Sequence, residues 1–226
     1  MFGVDILSYR YHFSAGLVNS TLPAYVPRMN SAFSASGDHL ADMIVYLARL
    51  GQSPAHAGPP GGPAHSLTAA QWTALRYFAR ANRFSRTPSA FSDFHATTRG
   101  TASQTVKSMV ALGLLARQSH ATDGRSTLIE VTAAGRQMLQ HDPLRALRRV
   151  LEQLDPTTRR SLSDALDQAV ARLAQSRDAP VFGSCADCSH CQIAEPASYC
   201  HCTQSLLTLP EMGEICVDFL PNRRPV

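Results

Sequence analysis

Apolar residues recur at helical spacing along most of this chain and at strand spacing in one short stretch. Asp38 is a good N-cap residue, and Leu40, Met43, Ile44, Leu47 and Leu50 after it fall on one stripe, which predicts a first helix. Pro54, Pro59, Pro60, Gly61 and Gly62 then break the period, so residues 51–62 read as a loop. Thr68 with Gln71 three residues on is a capping-box signature, and Trp72, Leu75, Phe78 and Ala79 mark the inward face of a second helix. Pro88 suits the first turn of a third helix, with Phe91 and Phe94 turned inward. Residues 97–100 read as a turn. A fourth helix is expected from Thr101 to about Leu112, burying Ala102, Val106, Met109 and Val110 and ended by Gly113.

After Gly113 the period changes. Leu114 to Gln118 predicts a strand, Asp123-Gly124 a hairpin turn, and Ser126 to Val131 the returning strand. Thr132 opens another helix. Amphipathic segments follow at Leu144–Leu154 and at Thr157–Ala174, the second announced by Asp155-Pro156. Residues 1–37 carry Pro23, Pro27 and many serines without a sustained period, and are expected to be an irregular leader. Pro180 and Gly183 read as a hinge into the last segment. Three parts follow: a leader at 1–37, a helical body with one hairpin at 38–178, and a tail at 179–226.

Charge is distributed unevenly along these parts. The whole chain is +4, but from Ser66 to Val150 twelve basic residues face only Asp93, Asp123, Glu130 and Asp142. From Asp178 onward six acidic residues face Arg223 and Arg224. A locally basic body suits a polyanion such as DNA. No apolar run approaches the roughly 20 residues that span a bilayer, and the N-terminus lacks the basic-then-apolar pattern of a signal peptide. A cytoplasmic protein with no membrane contact is expected. A Gly-rich nucleotide loop, a paired-carboxylate constellation and a nucleophile motif are all missing, so an enzyme is not expected.

Helix, helix, turn, helix and a two-stranded hairpin is the order of a winged helix-turn-helix. A recognition helix needs short polar residues facing outward near its N-terminus, where base edges and phosphates approach. Thr101, Ser103, Gln104, Thr105, Lys107 and Ser108 supply that surface. Gln104 suits an adenine edge, and the hydroxyls suit phosphates or bases. Arg125 at the hairpin tip suits a minor groove, and Arg99 and Arg117 suit phosphates.

The segments LTAAQWTALRYFARA, TPSAFSDFHATTRGTASQTVKSMVALGLL and DGRSTLIEVTAAG carry a resemblance to the MarR family of bacterial transcription regulators. Its wing typically runs from Gly-Leu-Leu through Asp-Gly-Arg into Leu/Val-Thr-x-x-Gly. Here these are Gly113-Leu114-Leu115, Asp123-Gly124-Arg125 and Val131-Thr132-Ala133-Ala134-Gly135. The resemblance covers roughly residues 38–175 and leaves the tail outside. It implies a mainly α winged-helix fold with a small β-hairpin wing. It also implies a homodimer in which the first and last two helices interlock, bound to double-stranded DNA at a pseudo-palindromic operator, as a repressor. Leu147, Val150, Leu151 and Leu154, then Leu162, Leu166, Val170 and Leu173, support the dimer independently, as stripes a lone subunit covers poorly.

All six cysteines lie in the tail, spaced C-x2-C-x2-C-x8-C-x-C-x13-C. Thiolates three residues apart can grip one metal ion or cluster, and clustered cysteines in a reducing compartment favour metal over disulfides. Cys185, Cys188, Cys202 and Cys216 are the expected ligands, with Cys191 and Cys200 as alternates. The Cys185, Cys188, Cys191 triplet echoes iron–sulfur binders, and two knuckles suit zinc, where His190 and His201 are possible substitutes. The leading expectation is an iron–sulfur cluster that senses redox state or iron, acting on the recognition helices from a place near the dimerisation helices. The alternative is a regulator of a small organic ligand, common in the resembling family, with structural zinc. His95 is expected at the surface or on the DNA backbone.

Overall fold

Caps and apolar spacing account for the described helices one by one. The computed structural model describes residues 36–53, 66–119, 127–195 and 197–222 of 226. Two units divide the chain, Met1–Ile44 and Val45–Val226. In the first, the described residues belong to the start of helix α1 (Gly37–Gln52), on which Leu40, Met43 and Ile44 are exposed. The leader before Ser36 and the proline-rich stretch at 54–65 lie outside the described residues.

In the second unit, helix α2 (Ala69–Arg80) opens on the anticipated capping box. Thr68 accepts the Gln71 N–H at 3.2 Å, and the Gln71 side chain accepts the Thr68 N–H at 2.9 Å. Its buried arc runs through Ala74, Phe78 and Ala81, spaced i, i+4, i+7, with Trp72, Leu75 and Tyr77 beside it. Ala79 is exposed, against expectation, because it lies about 100° further round the helix than Phe78. Helix α3 (Pro88–Phe94) is capped by Thr87, and its Phe91 joins Tyr77 and Phe78 with ring centroids 5.2–5.5 Å apart.

Helix α4 (Arg99–Ala111) starts two residues before the expected point, because the Thr98 side chain accepts the Thr101 N–H at 3.2 Å. Arg99 and Gly100 therefore belong to its first turn. Gly113, at φ +70°, turns the chain out of the helix as its position suggested. Strands β1 (Leu115–Ser119) and β2 (Thr127–Val131) pair antiparallel, Leu115 opposite Val131 and Ser119 opposite Thr127. The hairpin tip, with Asp123, Gly124 and Arg125, lies outside the described residues. Thr132 caps α5 (Ala133–Met138) and also donates to the Gly113 carbonyl at 2.7 Å. A Cβ on Gly135 would collide with the Leu114 carbonyl oxygen, so the glycine of Val-Thr-x-x-Gly is needed for close approach.

Helices α6 (Leu144–Glu152) and α7 (Pro156–Ser176) follow, α7 capped by Asp155. The fully buried Asp142 carboxylate ties α2 to α6: it accepts from Arg76 at 2.8 Å, Arg148 at 2.7 Å and the Leu144 N–H at 3.0 Å. Val150, Leu162, Leu166, Val170 and Leu173 stay exposed along α6 and α7. This is a mainly α winged helix-turn-helix with a two-stranded wing and further small antiparallel sheets.

The tail folds into strand β3 (Gly183–Ser184) paired with β7 (Ile215–Cys216), and a meander of β4 (Cys191–Gln192), β5 (Ser198–Cys200) and β6 (Ser205–Leu207). Gly183 is no hinge. It sits in a ladder, and the Phe219 ring fills the space its side chain would take. Most of the tail's hydrogen bonds and ion pairs to the body run to the connector between α2 and α3, and Ala179 donates to the Ala174 carbonyl of α7 at 2.9 Å. Ala81 bridges Ile215 in parallel, and Ile215 and Val217 pack against the main core. The connector turns at residues 83–85, and the backbone groups at its ends, free of helix pairing, can take a short strand where a helix, whose groups are already paired, cannot.

Candidate nucleic-acid interface and cysteine unit

Ala102, Val106 and Met109 anchor α4 in the core, which leaves Arg99, Thr101, Gln104 and Lys107 exposed and Ser103, Thr105 and Ser108 at the margins. The side chains of Arg99, Ser103, Gln104 and Lys107 form no hydrogen bond or ion pair with another described residue. The hydroxyls are partly engaged: Thr101 with Thr98 at 2.9 Å, Thr105 with the Thr101 carbonyl at 3.1 Å. Ser108 is turned inward, donating to the Thr105 carbonyl at 2.8 Å and accepting from the Gln71 amide at 3.2 Å, so it ties α4 to α2. The first turn of α4 presents backbone N–H groups beside Arg99, a setting that attracts an anionic oxygen. Arg117 projects from β1 and is exposed, and Arg125 lies outside the described residues.

His95 departs from expectation. It is half-buried, its ring stacked on Phe91 at 5.4 Å and 7°, and burial lowers its pKa.

The connector between α2 and α3 links the wing to the cysteines, and nothing in its sequence marked it. On one side Arg86 accepts the Ile129 N–H of the wing through its carbonyl at 2.8 Å. On the other, Asn82 donates its backbone N–H to the Ile215 carbonyl at 2.9 Å, and Val217 donates to the Ser85 hydroxyl at 2.8 Å. Arg83 reaches Glu211 at 2.6 Å and the Leu206 carbonyl at 2.8 Å. The Arg86 guanidinium stands 3.5 Å from Glu130 on β2 and 3.7 Å from Glu214 in the tail. Burial is the largest cause acting on Glu214 and raises its pKa.

Phe84 of the connector packs into the tail's small core with Cys185, Cys200 and Leu207. Cys185, Cys188, Cys200 and Cys216 are buried, Cys191 is half-buried and Cys202 is exposed. Cys185 and Cys188 flank one turn, the Cys188 N–H donating to the Cys185 carbonyl at 3.3 Å. Cys191 lies opposite Cys200 and its thiol faces the Met212 sulfur at 3.9 Å. His201 is exposed with Nε2 3.2 Å from the Gln192 side chain, and His190 is half-buried. Among the described residues, no three Cys, His, Asp or Glu side chains stand close enough together to hold a metal ion as they are. The donor chemistry nevertheless fits one: the Leu220 N–H lies 3.5 Å from the Cys188 sulfur, the Asp218 N–H reaches Cys216, and such donors stabilise thiolates.

Solved structures with similar folds include a MarR transcriptional regulator from Methanosarcina mazei Go1, 19% identical with TM-score 0.47, covering 61% of this chain and 98% of that one. MepR of S. aureus in complex with DNA is 15% identical with TM-score 0.47, at 61% and 98% coverage. CouR from Rhodococcus jostii RHA1 bound to p-coumaroyl-CoA is 18% identical with TM-score 0.48, at 62% and 95% coverage. No curated protein matches the chain. Residues 65–126, which hold α2, α3, α4 and the first wing strand, match the model of the MarR family.

Proposed function

We propose that this chain is a sequence-specific transcription regulator, not an enzyme, that binds double-stranded DNA as a homodimer and represses from a pseudo-palindromic operator. The observation that carries the reading is α4: its apolar face is anchored, and its opposite face offers Arg99, Ser103, Gln104 and Lys107 without described partners. With the wing beside it, that face has the donors and cations a major groove and its phosphates require. The exposed apolar stripes of α6 and α7 support the dimer, because covering each half-exposed Leu or Val is worth roughly 1 kcal/mol. Among the described residues no helix is long and apolar enough to cross a membrane.

The cysteine unit, in this proposal, holds a metal centre: an iron–sulfur cluster sensing redox state or iron, or structural zinc. Bound there, a cluster supplies an exchangeable redox state and zinc a rigid cross-link. The protein's own part is to bury four thiols and hold that unit against the connector that also carries the wing. A small organic effector is the second reading. An open cleft of about 460 Å³ lined by Arg136, Leu139, Gln140, Arg145 and Arg148 favours it, since three guanidiniums suit an organic anion.

Selection of bound duplexes from a random pool, followed by gel-shift titration, tests the DNA reading. Wild type is expected to enrich a two-fold site, and Arg125→Ala to weaken binding while the dimer persists in sedimentation. Absence of any enriched sequence overturns the proposal. Anaerobic purification, an absorption spectrum and metal analysis separate a brown iron and sulfide protein from a colourless zinc one.

A further inference from the structure

We infer that Cys185, Cys188, Cys200 and Cys216 are the four ligands of a single thiolate-bound metal centre, with the Asn82 side-chain amide donating to the Cys216 sulfur from the DNA-binding body. This rests on the proposal that the tail holds a metal, and it replaces Cys202 of the expected set by Cys200.

Burial separates the six thiols. Cys185, Cys188, Cys200 and Cys216 are 3–6% exposed, whereas Cys202 is exposed and Cys191 is turned toward Met212. Topology brings the four to one place. The Cys185–Asp187 turn presents Cys185 and Cys188, and pairing of Gly183 with Cys216 sets β7 beside that turn. Strand β5 delivers Cys200 into the core that holds Cys185. Four buried thiols carried on one turn and on two strand ends of the same small unit are a donor set that a cation suits.

Asn82 is the independent observation. It is 1% exposed, and its Nδ2 has no hydrogen-bond partner of good geometry. Buried amide N–H groups without an acceptor are rare and call for an explanation. Asn82 lies beside the strand that carries Cys216, because its backbone N–H donates to the Ile215 carbonyl at 2.9 Å. A thiol is a weak acceptor, whereas a metal-bound thiolate is a good one, so metal loading supplies what Asn82 lacks. The four sulfurs sit on a turn and on strand ends and are not close enough to hold an ion as they stand, so metal loading has to draw them together.

Cobalt titration of the reduced, full-length protein tests this, followed by thiolate-to-cobalt charge transfer and native mass spectrometry. Wild type, Cys191→Ser and Cys202→Ser are expected to bind one equivalent with the intensity of four thiolates. Cys200→Ser is expected to lose that spectrum, and Asn82→Ala to keep it with affinity about 10–100-fold weaker. Retention by Cys200→Ser with loss in Cys202→Ser overturns the ligand set while leaving a metal in the tail. If wild type takes up no cobalt, zinc or iron, both the set and the metal reading are overturned. Should Cys200→Ser not fold, alkylation of metal-loaded wild type decides: the four cysteines protected and Cys202 modified supports the assignment, and a protected Cys202 with a modified Cys200 sinks it.

Discussion

The Asn82 backbone N–H donates to the Ile215 carbonyl at 2.9 Å, one residue before Cys216. Four residues on, Arg86 accepts the Ile129 N–H of the wing. One connector of a few residues therefore bridges to the cysteine unit on one side and takes a hydrogen bond from the wing on the other.

Arg86 is the side chain that spans this connector. Its ion pairs with Glu130 and Glu214 are long and partly exposed, worth about 0–1 kcal/mol each, and its Nε donates to the Ala81 carbonyl at 2.8 Å. Arg86→Ala is expected to lower stability by only about 1–2 kcal/mol while leaving metal content unchanged. Operator affinity should then respond less to metal removal than in wild type. An undiminished response in gel-shift titrations would show that the coupling runs elsewhere.

On α4, two substitutions separate positioning from reading. Lys107→Ala should weaken all duplexes alike and reduce the salt dependence of binding by about one ion. Gln104→Ala should cost about 1–3 kcal/mol at one base pair of the operator and little on random DNA. Anisotropy titrations over a range of salt distinguish the two patterns, and identical behaviour of both variants would refute the assigned roles.

Asp142 carries three donors with its carboxylate fully buried. Asp142→Ala leaves the Arg76 guanidinium largely buried without its anion, a loss of about 3–5 kcal/mol. Chemical denaturation checks this, and a change below 1 kcal/mol would mean that Arg76 finds another partner.

Gly135→Ala places a methyl against the Leu114 carbonyl. Overpacking of this kind costs about 1–3 kcal/mol, and here it pushes α5 from the base of the wing. A lowered Tm together with weaker operator binding is expected. An unchanged Tm would contradict the close approach.

His95 stacks on Phe91 in a half-buried place that lowers its pKa. The unfolded chain therefore binds a proton more readily than the folded one. Stability is fully present above the ordinary histidine value, about 6.5, and declines as pH falls below it. His95→Gln should flatten that part of the stability-versus-pH curve. An equally steep curve in the variant would assign the slope to other groups.

Much of this was legible in the residues. Thr68, Thr132 and Asp155 start helices as expected and Gly113 turns with positive φ, whereas Thr98, read as part of a turn, caps α4 two residues early. Caps, turns and strand alternation depend on neighbours a few residues apart, so they can be read without knowing the fold. The alternating strands and the polar face of α4 were legible for the same reason. Ala79 and Gly183 were misread because their surroundings come from distant parts of the chain, the arc facing α3 and α4 and the Phe219 ring, whereas His95 stacks on Phe91 only four residues before it, a local pairing that was passed over.

The choice among cysteines shows where that limit falls. Spacing made a metal-bearing tail the natural reading, but Cys200 and Cys202 are neighbours on paper with equal claims. Strand β5 ends at Cys200, which it carries into the small core, while Cys202 falls in the turn at residues 201–204 that leads to β6 and stays in solvent. The docking of that unit on Asn82, Ser85 and Arg86 was likewise invisible beforehand, because it joins residues more than 120 positions apart, in part through a backbone hydrogen bond that almost any residue can make.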